Sequence, residues 1–146
     1  MPEDMQRTVD LVDKLWNTGN TEIASQLYDD KSERRAPNGT ARGRQEIANY
    51  VTEVRTAFPD FKLDIAEALS QGNQVAVHWT VTGTQKGEFM GIPPTGRRVE
   101  VHGISLERIE DGRVLDEIVY FDQLALLQQL GVAPTAMQAE MKSAVG

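Results

Sequence analysis

The spacing of apolar residues changes once along this chain, and the change limits the folds that it can adopt. Over residues 5–28 and 45–58 the apolar side chains recur as on one face of an α-helix. From Phe61 onward they alternate with polar side chains, as on a half-buried β-strand. Helices followed by a run of strands predict an α+β fold, because a parallel sheet would need helices between its strands.

Turn-forming residues set the limits of the predicted elements. An Asn-Thr-Gly-Asn run at 17–20 divides the first helical segment, and an Asp-Gly pair at 111–112 joins the last two strands. The predicted elements are helices over 5–28 and 45–58, strands over 61–65, 75–82, 97–108 and 113–122, and a helix over 123–130. Residues 29–40 are predicted to be a loop or a short edge strand, and residues 83–96 a long connection or a bulged strand end.

The composition suits one domain and excludes several classes of site. A chain of 146 residues suits a single core, predicted to cover residues 1–132, with residues 133–146 as a C-terminal tail. The chain has no cysteine, so thiolate nucleophiles and cysteine-ligated metal sites are excluded. Its two histidines lack a paired carboxylate motif, so we expect no metal site.

Charge and hydropathy limit the partners of the chain. With a formal net charge of -7 it repels phosphate backbones, so we expect no nucleic-acid partner. No apolar stretch approaches the roughly 20 residues that span a bilayer, so no membrane partner is expected. Asp4, Asp10 and Asp13 interrupt any apolar run near the start, so we predict no signal peptide and a cytoplasmic protein.

The hairpin between the last two predicted strands brings one candidate site together. If residues 110–112 form a three-residue loop, Ile109 pairs with Arg113, and opposed residues share one face of the sheet. The pairs that follow are Glu100 with Asp122, His102 with Tyr120, and Ile104 with Ile118. A two-residue turn would move His102 to the face opposite Asp122, but the apolar Ile104–Ile118 pair favours the first register.

Asp122 is the best candidate for a catalytic group on this face. A carboxylate among Tyr120, Ile118 and Trp79 would lose hydration, so its pKa should rise toward the range in which it transfers protons. His102, diagonally adjacent, could share a proton with Asp122 or bind a substrate oxygen. The alternative is that Asp122 only caps the helix that follows it, as aspartate often does.

Aromatic and aliphatic residues provide a candidate binding surface. Trp79, Tyr120 and Trp16 supply aromatic area, and Ile104 and Ile118 supply aliphatic area, although core packing accounts for most aromatic residues in the chain. A pocket with such walls suits a small apolar or aromatic ligand of the carbonyl type.

Several short segments occur in a distinctive order in the second half of the chain. They are His78-Trp79-Thr80, Gly83-Thr84, Gly87-Glu88-Phe89, Gly91, Pro93-Pro94-Thr95-Gly96-Arg97, Arg108-Ile109-Glu110-Asp111-Gly112, Glu117, Asp122 and Gln128-Gln129-Leu130-Gly131. Their order and spacing resemble the SnoaL-like polyketide cyclases, a branch of the nuclear transport factor 2-like superfold. The resemblance covers residues 5–132.

The resemblance implies a cone-shaped α+β barrel, in which a strongly curved antiparallel sheet wraps over the N-terminal helices. Members are usually dimers or tetramers formed across the sheet, and we expect a homodimer. Characterised cyclases of the family close a polyketide ring by intramolecular aldol condensation, without metal or organic cofactor. They use a buried aspartate as acid/base, and its position corresponds to Asp122 here.

One part of the chain departs from the family pattern. Relatives often carry histidines before the Ala36-Pro37 pair and after Gly83-Thr84, where this chain has Arg34, Arg35 and Gln85. Arginines near a pocket mouth could bind a carboxylate or an oxyanion, which makes Arg35 a candidate substrate contact. On an exposed edge strand, arginines would only increase solubility.

Three functions are therefore open. The first is an acid/base enzyme of the cyclase or isomerase type, in which Asp122 abstracts a proton from a carbonyl or polyketide-like substrate and His102 or Tyr120 steadies the enolate oxygen. The second is a ligand-binding or partner domain without catalysis. The third is a cofactor-free epoxide or ester hydrolase, with water activated by Asp122.

Overall fold

A computed structural model describes residues 1–132 of the chain. Along these residues, four helices and six strands follow one another. In chain order they are α1 (Glu3–Thr18), α2 (Glu22–Leu27), β1 (Tyr28–Ala36), β2 (Gly39–Arg42), α3 (Gly43–Ala57), β3 (Lys62–Gln71), β4 (Gln74–Thr84), β5 (Arg98–Glu110), β6 (Arg113–Phe121) and α4 (Gln123–Gln129). The predicted tail, residues 133–146, lies outside the described residues.

The strands form one six-stranded curved sheet in the order β2-β1-β6-β5-β4-β3. Neighbouring strands are antiparallel except β1 and β6, which run parallel. Among the N-terminal helices, α1 contacts β3 and α3 contacts β1. The predicted α+β fold, with N-terminal helices against a curved and mainly antiparallel sheet, is confirmed.

The core lies between the helices and one face of the sheet. The apolar stripes of the helices are buried there and include Val9, Val12 and Leu15 of α1, Leu27 of α2, and Ile47 and Val51 of α3. Buried and exposed residues alternate along β5, so one row of its side chains faces the helices. We call this face the inner face; on β5 it carries Val99, Val101, Gly103, Ser105, Glu107 and Ile109. Within residues 1–132, no helix is both long and apolar enough to cross a membrane.

Strand β1 was not predicted as an interior strand. Residues 29–40 were expected to form a loop or a short edge strand, but β1 lies between β2 and β6. Its sequence lacks the apolar alternation of a buried strand because polar side chains occupy its buried positions. Ser32 donates a hydrogen bond of 2.6 Å to the carbonyl oxygen of Val114, and Arg34 forms an ion pair with Glu117. Strand β6 supplies these partners, so only the folded chain shows why β1 is stable there.

The register of the β5–β6 hairpin differs from the predicted one. Asp111 and Gly112 both have positive φ, 52° and 74°, and form a two-residue turn that pairs Glu110 with Arg113. An irregularity near Leu115 then adds one residue to β6. The observed pairs are Gly103 with Phe121, Ile104 with Tyr120, and Leu106 with Ile118. The predicted pairs are therefore wrong by two residues, and a shift of two leaves His102, Ile104 and Tyr120 on one face.

Asn17 joins the end of α1 to the edge strand β3. Its side-chain oxygen accepts a hydrogen bond of 2.7 Å from the backbone N–H of Leu63, and its side-chain nitrogen donates one of 2.9 Å to the carbonyl oxygen of Leu63. One amide thus satisfies both backbone groups of a buried residue at a sheet edge, where unpaired groups are costly.

We predict that Asn17→Ala lowers the free energy of unfolding by about 2 kcal/mol, because two partly buried backbone groups lose their partner. Urea denaturation measures the change. Asn49→Ala is the matched control, since Asn49 is exposed on α3 and, within residues 1–132, its side chain bonds only Gln45 one turn earlier. Equal stability of the two variants would show that Asn17 contributes nothing to the α1–β3 junction.

Candidate active site

A cavity opens between the inner face of the sheet and the helices α1 and α3. Its empty volume is about 900 Å³, part of which is open solvent at the mouth. Apolar and aromatic side chains form most of the wall, among them Val12, Tyr50, Phe58, Val77, Phe89 and Val101. A cavity with this lining suits an apolar small molecule that is held by few polar contacts.

The charged side chains of the wall form a single row across three strands. Arg34 of β1 lies opposite Glu117 of β6, and Glu117 lies opposite Glu107 of β5. Opposed residues project from the same face of a sheet, so all three reach the cavity. We call these three residues the charged row.

Glu117 is the central member of the charged row and is 4% exposed. Its Oε1 lies 2.9 Å from Arg34 Nε, and the hydroxyl of Tyr28 donates a hydrogen bond of 2.9 Å to its Oε2. The Arg34 guanidinium carbon lies 5.6 Å from the ring centroid of Trp16 and 4.9 Å from that of Tyr50. Cation–π attraction to these rings holds the guanidinium in place. Each carboxylate oxygen of Glu117 therefore has a fixed partner.

Glu107 differs from Glu117 because no donor meets its carboxyl group. It is 1% exposed, and as a carboxylate it would have no hydrogen-bond donor for either side-chain oxygen among the described residues. Burial raises the pKa of Glu107 well above its ordinary value, the charge of Glu117 and a hydrogen bond between the two carboxyl groups add to the rise, and Arg34 opposes it. The folded protein therefore favours a neutral carboxylic acid at this position.

Tyr28 is, with Arg34, one of the two partners of the Glu117 carboxylate. Burial raises the pKa of the Tyr28 hydroxyl well above its ordinary value, and the charge of Glu117 adds to the rise. The hydroxyl therefore stays protonated and remains a donor to Glu117. An acceptor carboxylate beside a neutral acid is an arrangement suited to proton transfer on carbonyl compounds, because one group removes a proton while the other stabilises the developing oxyanion.

The predicted catalytic pair, Asp122 and His102, lies outside this cavity. Asp122 is exposed, and its Oδ1 accepts a hydrogen bond of 2.9 Å from the backbone N–H of Ala125, so it caps α4. His102 is also exposed; its Nδ1 lies 2.9 Å from the Thr80 hydroxyl and its Nε2 lies 3.6 Å from Glu100. The expectation that Asp122 lies in an apolar pocket is wrong, and His102 lies instead in a shallow, open groove on the other face of the sheet, beside Ile104 and Tyr120. The chemical role of both residues stays a prediction.

The sequence prediction assigned the wrong face of the β5–β6 hairpin to the pocket, because both rows of side chains on β5 include apolar residues. Ile104 and Tyr120, which were expected to line the pocket, are 50% and 69% exposed. Ile118 lies opposite Leu106 on the same face of the sheet as these two residues. We call this face, which points away from the helices, the outer face. The row that begins at Val99 also includes apolar residues, as does the row that contains Ile104. The alternation of apolar and polar residues therefore does not show which of the two rows the helices cover.

The remaining predicted residues are divided between the cavity and the surface. Trp16 and Trp79 line the cavity. Alternation along β1 turns Arg34 inward and Arg35 outward, where half of the Arg35 side chain is exposed. The prediction that Arg35 lines the ligand cavity is therefore wrong, whereas Arg34 does line it. His78 is exposed on the outer face.

Gln85 organises the loop between β4 and β5. It is fully buried, and its Nε2 donates hydrogen bonds of 3.1 and 3.0 Å to the carbonyl oxygens of Gly87 and Ile92. Its Oε1 accepts bonds of 3.1 and 2.7 Å from the backbone N–H and the hydroxyl of Thr95. The loop held in this way carries Phe89 to the cavity wall, so Gln85 supports the cavity without lining it.

Sequence reasoning missed the charged row, although two signals pointed to it. Glu107 continues the spacing of two that begins at Val99 and so falls at an inward position. The Asp-Gly pair at 111–112 is the dipeptide that two-residue hairpin turns prefer. The extra residue near Leu115 has no marker in the sequence, and without it Glu107 cannot be placed opposite Glu117.

A family comparison agrees with this architecture. The family model described as SnoaL-like polyketide cyclase matches residues 6–130 of the chain. The chain belongs to this family. The resemblance noted in the sequence is thereby confirmed.

Individual relatives agree in sequence and in fold. The chain is 31% identical over 136 residues to aklanonic acid methyl ester cyclase DnrD of Streptomyces peucetius, covering 87% of this chain and 92% of that protein. It is 29% identical over 119 residues to nogalonic acid methyl ester cyclase of Streptomyces nogalater, covering 80% of this chain and 89% of that protein. The solved structure of TsrD from Streptomyces laurentii matches with a TM-score of 0.81 and 25% identity, over 90% of this chain and 98% of that one.

The raised pKa of Glu107 predicts how stability depends on pH. The folded protein holds this proton more tightly than the unfolded chain, so the contribution of Glu107 is full below the ordinary pKa of glutamate and is lost as the pH rises through the raised value. Glu107→Gln keeps the shape without titrating. Relative to the wild type, its free energy of unfolding should increase as the pH rises above the ordinary pKa of glutamate, by up to about 1.4 kcal/mol per pH unit.

Urea denaturation at each pH measures this difference. Glu100→Gln, an exposed substitution on the same strand, is the control and should follow the wild type. Parallel pH curves for the wild type and Glu107→Gln would contradict the prediction, because they would mean that Glu107 binds its proton equally in the folded and unfolded states.

Proposed function

We propose that this chain is a cofactor-free polyketide cyclase that closes a ring by intramolecular aldol condensation. The observation that carries the proposal is the pairing of Glu117, whose oxygens both have partners, with Glu107, a buried carboxyl without a donor. The pair lies in the wall of an otherwise mostly apolar cavity. The similarity to two methyl ester cyclases supports the same class of reaction.

In the proposed reaction, Glu117 takes a proton from a carbon next to a carbonyl group of the substrate. The resulting enolate attacks a second carbonyl carbon of the same molecule, so one C–H bond breaks and one C–C bond forms. Glu107 donates a hydrogen bond to the oxygen under attack and then gives it a proton, which makes it an alcohol. Because Glu107 and Glu117 are neighbours, the proton on Glu117 returns to Glu107, and the cycle gains no proton or charge.

Arg34 and Tyr28 act in this proposal through Glu117. Their contacts with its two oxygens hold the carboxylate in one orientation toward the cavity. Less entropy is then lost when the carboxylate and the substrate reach a reactive geometry. The apolar wall keeps bulk water away from the enolate and strengthens the interaction between the oxyanion and Glu107.

A neutral ester suits this cavity better than a free acid. A carboxylate on the substrate would be buried beside the charge of Glu117, while Arg34 is already engaged by that residue. An unpaired buried charge is costly, so we expect the chain to accept a methyl ester in preference to the corresponding acid. The lack of a metal or organic cofactor and a cytoplasmic location stay predictions.

Replacement of the acid/base pair tests the proposal. With aklanonic acid methyl ester as substrate, we expect Glu117→Gln to lower kcat by about 10²–10⁴-fold with little change in KM, because an amide cannot accept the proton. We expect Glu107→Gln to cause a smaller loss, because the amide still donates a hydrogen bond but gives no proton. Chromatography of substrate and ring-closed product measures both rates.

Asp122→Asn separates this assignment from the one suggested by the sequence. If the charged row is catalytic, the variant closes the ring at the wild-type rate, since Asp122 lies outside the cavity. An inactive, folded Asp122→Asn together with an active Glu117→Gln would overturn the proposal and return the role to Asp122 and His102. Binding of the ester by the wild type without ring closure would support the ligand-binding alternative.

A homodimer formed through the outer face of the sheet is part of the proposal. Ile104, Leu106, Tyr120 and Leu69 expose apolar area on the sheet. An apolar patch of this kind on a sheet face marks an interaction surface, and a second copy of the same face would cover it symmetrically.

Ile104→Glu should convert a dimer to a monomer, because the substitution buries a carboxylate in each half of the interface. Sedimentation velocity gives the mass in solution. Asn49→Glu, which adds the same charge to the exposed side of α3, is the control and should remain dimeric. A wild type that sediments as a monomer contradicts the dimer but leaves the proposed reaction untouched.

A further inference from the structure

We propose that Ser105 is a substrate-positioning residue that donates its hydroxyl hydrogen to an acceptor oxygen of the bound polyketide. This inference rests on the proposed function and adds a second polar contact to the one made by the charged row. It concerns where the substrate is held and not the bond that forms.

The contact between Ser105 and Trp79 leaves the hydroxyl hydrogen uncommitted. Ser105 is buried and lines the cavity. The indole N–H of Trp79 donates a hydrogen bond of 2.9 Å to its Oγ. The Oγ is thus an acceptor in this contact, and within residues 1–132 the hydroxyl forms no other hydrogen bond. A hydroxyl has one hydrogen to donate in addition.

The side chains beside Ser105 cannot accept that hydrogen. Val77 on β4 and Val119 on β6 lie opposite Ser105 in the two ladders, and both are buried. Neither valine has a polar side-chain atom, so the side chains on both flanks are apolar. Glu107, the next inward side chain along β5, receives no hydrogen bond from Ser105, since neither of its oxygens has a donor among the described residues. The hydroxyl hydrogen is therefore free for a molecule in the cavity, and a buried donor without a partner is costly enough to favour one.

Trp79 holds the serine hydroxyl in a fixed orientation. Trp79 lies opposite Gly103, one position before Ser105 in the same inward row. A Cβ atom on Gly103 would lie 2.3 Å from Cζ2 of Trp79, so the missing side chain is what lets the indole lie against the strand. With the ring held there and its N–H on Ser105, the direction left for the O–H hydrogen is set before a ligand enters, which lowers the cost of binding.

The position of Ser105 along β5 indicates what kind of oxygen it would bind. Ser105 and Glu107 are two residues apart on one strand, so their side chains leave the same face about 7 Å apart. Glu107 serves the carbonyl under attack, and Ser105 therefore reaches a different oxygen of the substrate. A hydroxyl donor requires an acceptor, so we expect a ketone, quinone or ester carbonyl about 7 Å from the reacting carbonyl oxygen.

A double-mutant cycle tests the inference. Trp79→Phe removes the indole N–H. In this variant Ser105 is no longer required as the hydrogen-bond acceptor of residue 79. We expect Ser105→Ala to raise KM for aklanonic acid methyl ester about five- to tenfold, in the wild type and in the Trp79→Phe variant alike. The value of kcat should stay within about twofold, because a contact equally present in the ground and transition states changes only binding.

A second measurement does not depend on turnover. The Kd of the flat aromatic ketone 1,8-dihydroxyanthraquinone, measured by titration calorimetry, should rise by the same factor in both backgrounds. Thr80→Ala is the matched control, because it removes a hydroxyl from the neighbouring strand at a position that bonds His102 outside the cavity; it should leave KM and Kd unchanged.

The outcomes separate this inference from the proposed function. If Ser105→Ala weakens binding in the wild type but not in the Trp79→Phe variant, Ser105 serves only as the acceptor for Trp79, and the inference is overturned while the cyclase proposal stands. If the wild type binds the anthraquinone but closes no ring, the cyclase proposal fails, and the Kd values alone decide on Ser105. A wild type that binds neither compound overturns both.

Discussion

The ion pair between Arg34 and Glu117 joins an interior strand to its neighbour in the sheet. Strand β1 has few apolar residues to hold its place, and its contact with β6 depends on this pair and on the hydrogen bond from Ser32 to Val114. Strand β1 in turn contacts α3, which closes one side of the cavity. Removal of either partner would leave a buried charge unpaired, at a cost of about 3–5 kcal/mol. The backbone ladder pairs β1 with β6, and this ion pair is the charged side-chain contact that links the two strands at the cavity wall.

Burial makes the charged row expensive for the fold and useful for chemistry. In water at neutral pH, two glutamate side chains would both be ionised, and their pKa values would differ little. In this cavity, Glu117 faces a cation and a phenol, whereas Glu107 faces neither and its pKa rises. The difference in partners separates the roles of two identical side chains, so that one can accept a proton while the other donates one. The energy that such a site costs must come from the apolar packing around it.

The two faces of the sheet show why local patterns predicted this site only in part. The helices, strands β3 to β6 and the hairpin of β5 and β6 were predicted, because each follows from residues that are close in sequence. The cavity residues Trp16 and Trp79 were named, but Asp122 and His102 were placed in the cavity although both are exposed. Apolar residues on both rows of β5 made the wrong face look like the inner one.

By itself, the sequence determined the order and type of most elements, the α+β fold and the family, since these depend on local spacing and on ordered short motifs. The tertiary structure alone decided that β1 is an interior strand, which row of β5 faces the helices, and that Arg34 and Glu107 meet at Glu117. The physical reason is that those features arise from pairing between residues far apart in the chain. One extra residue in β6 sets that pairing, and no local preference for turns or for apolar spacing reports it.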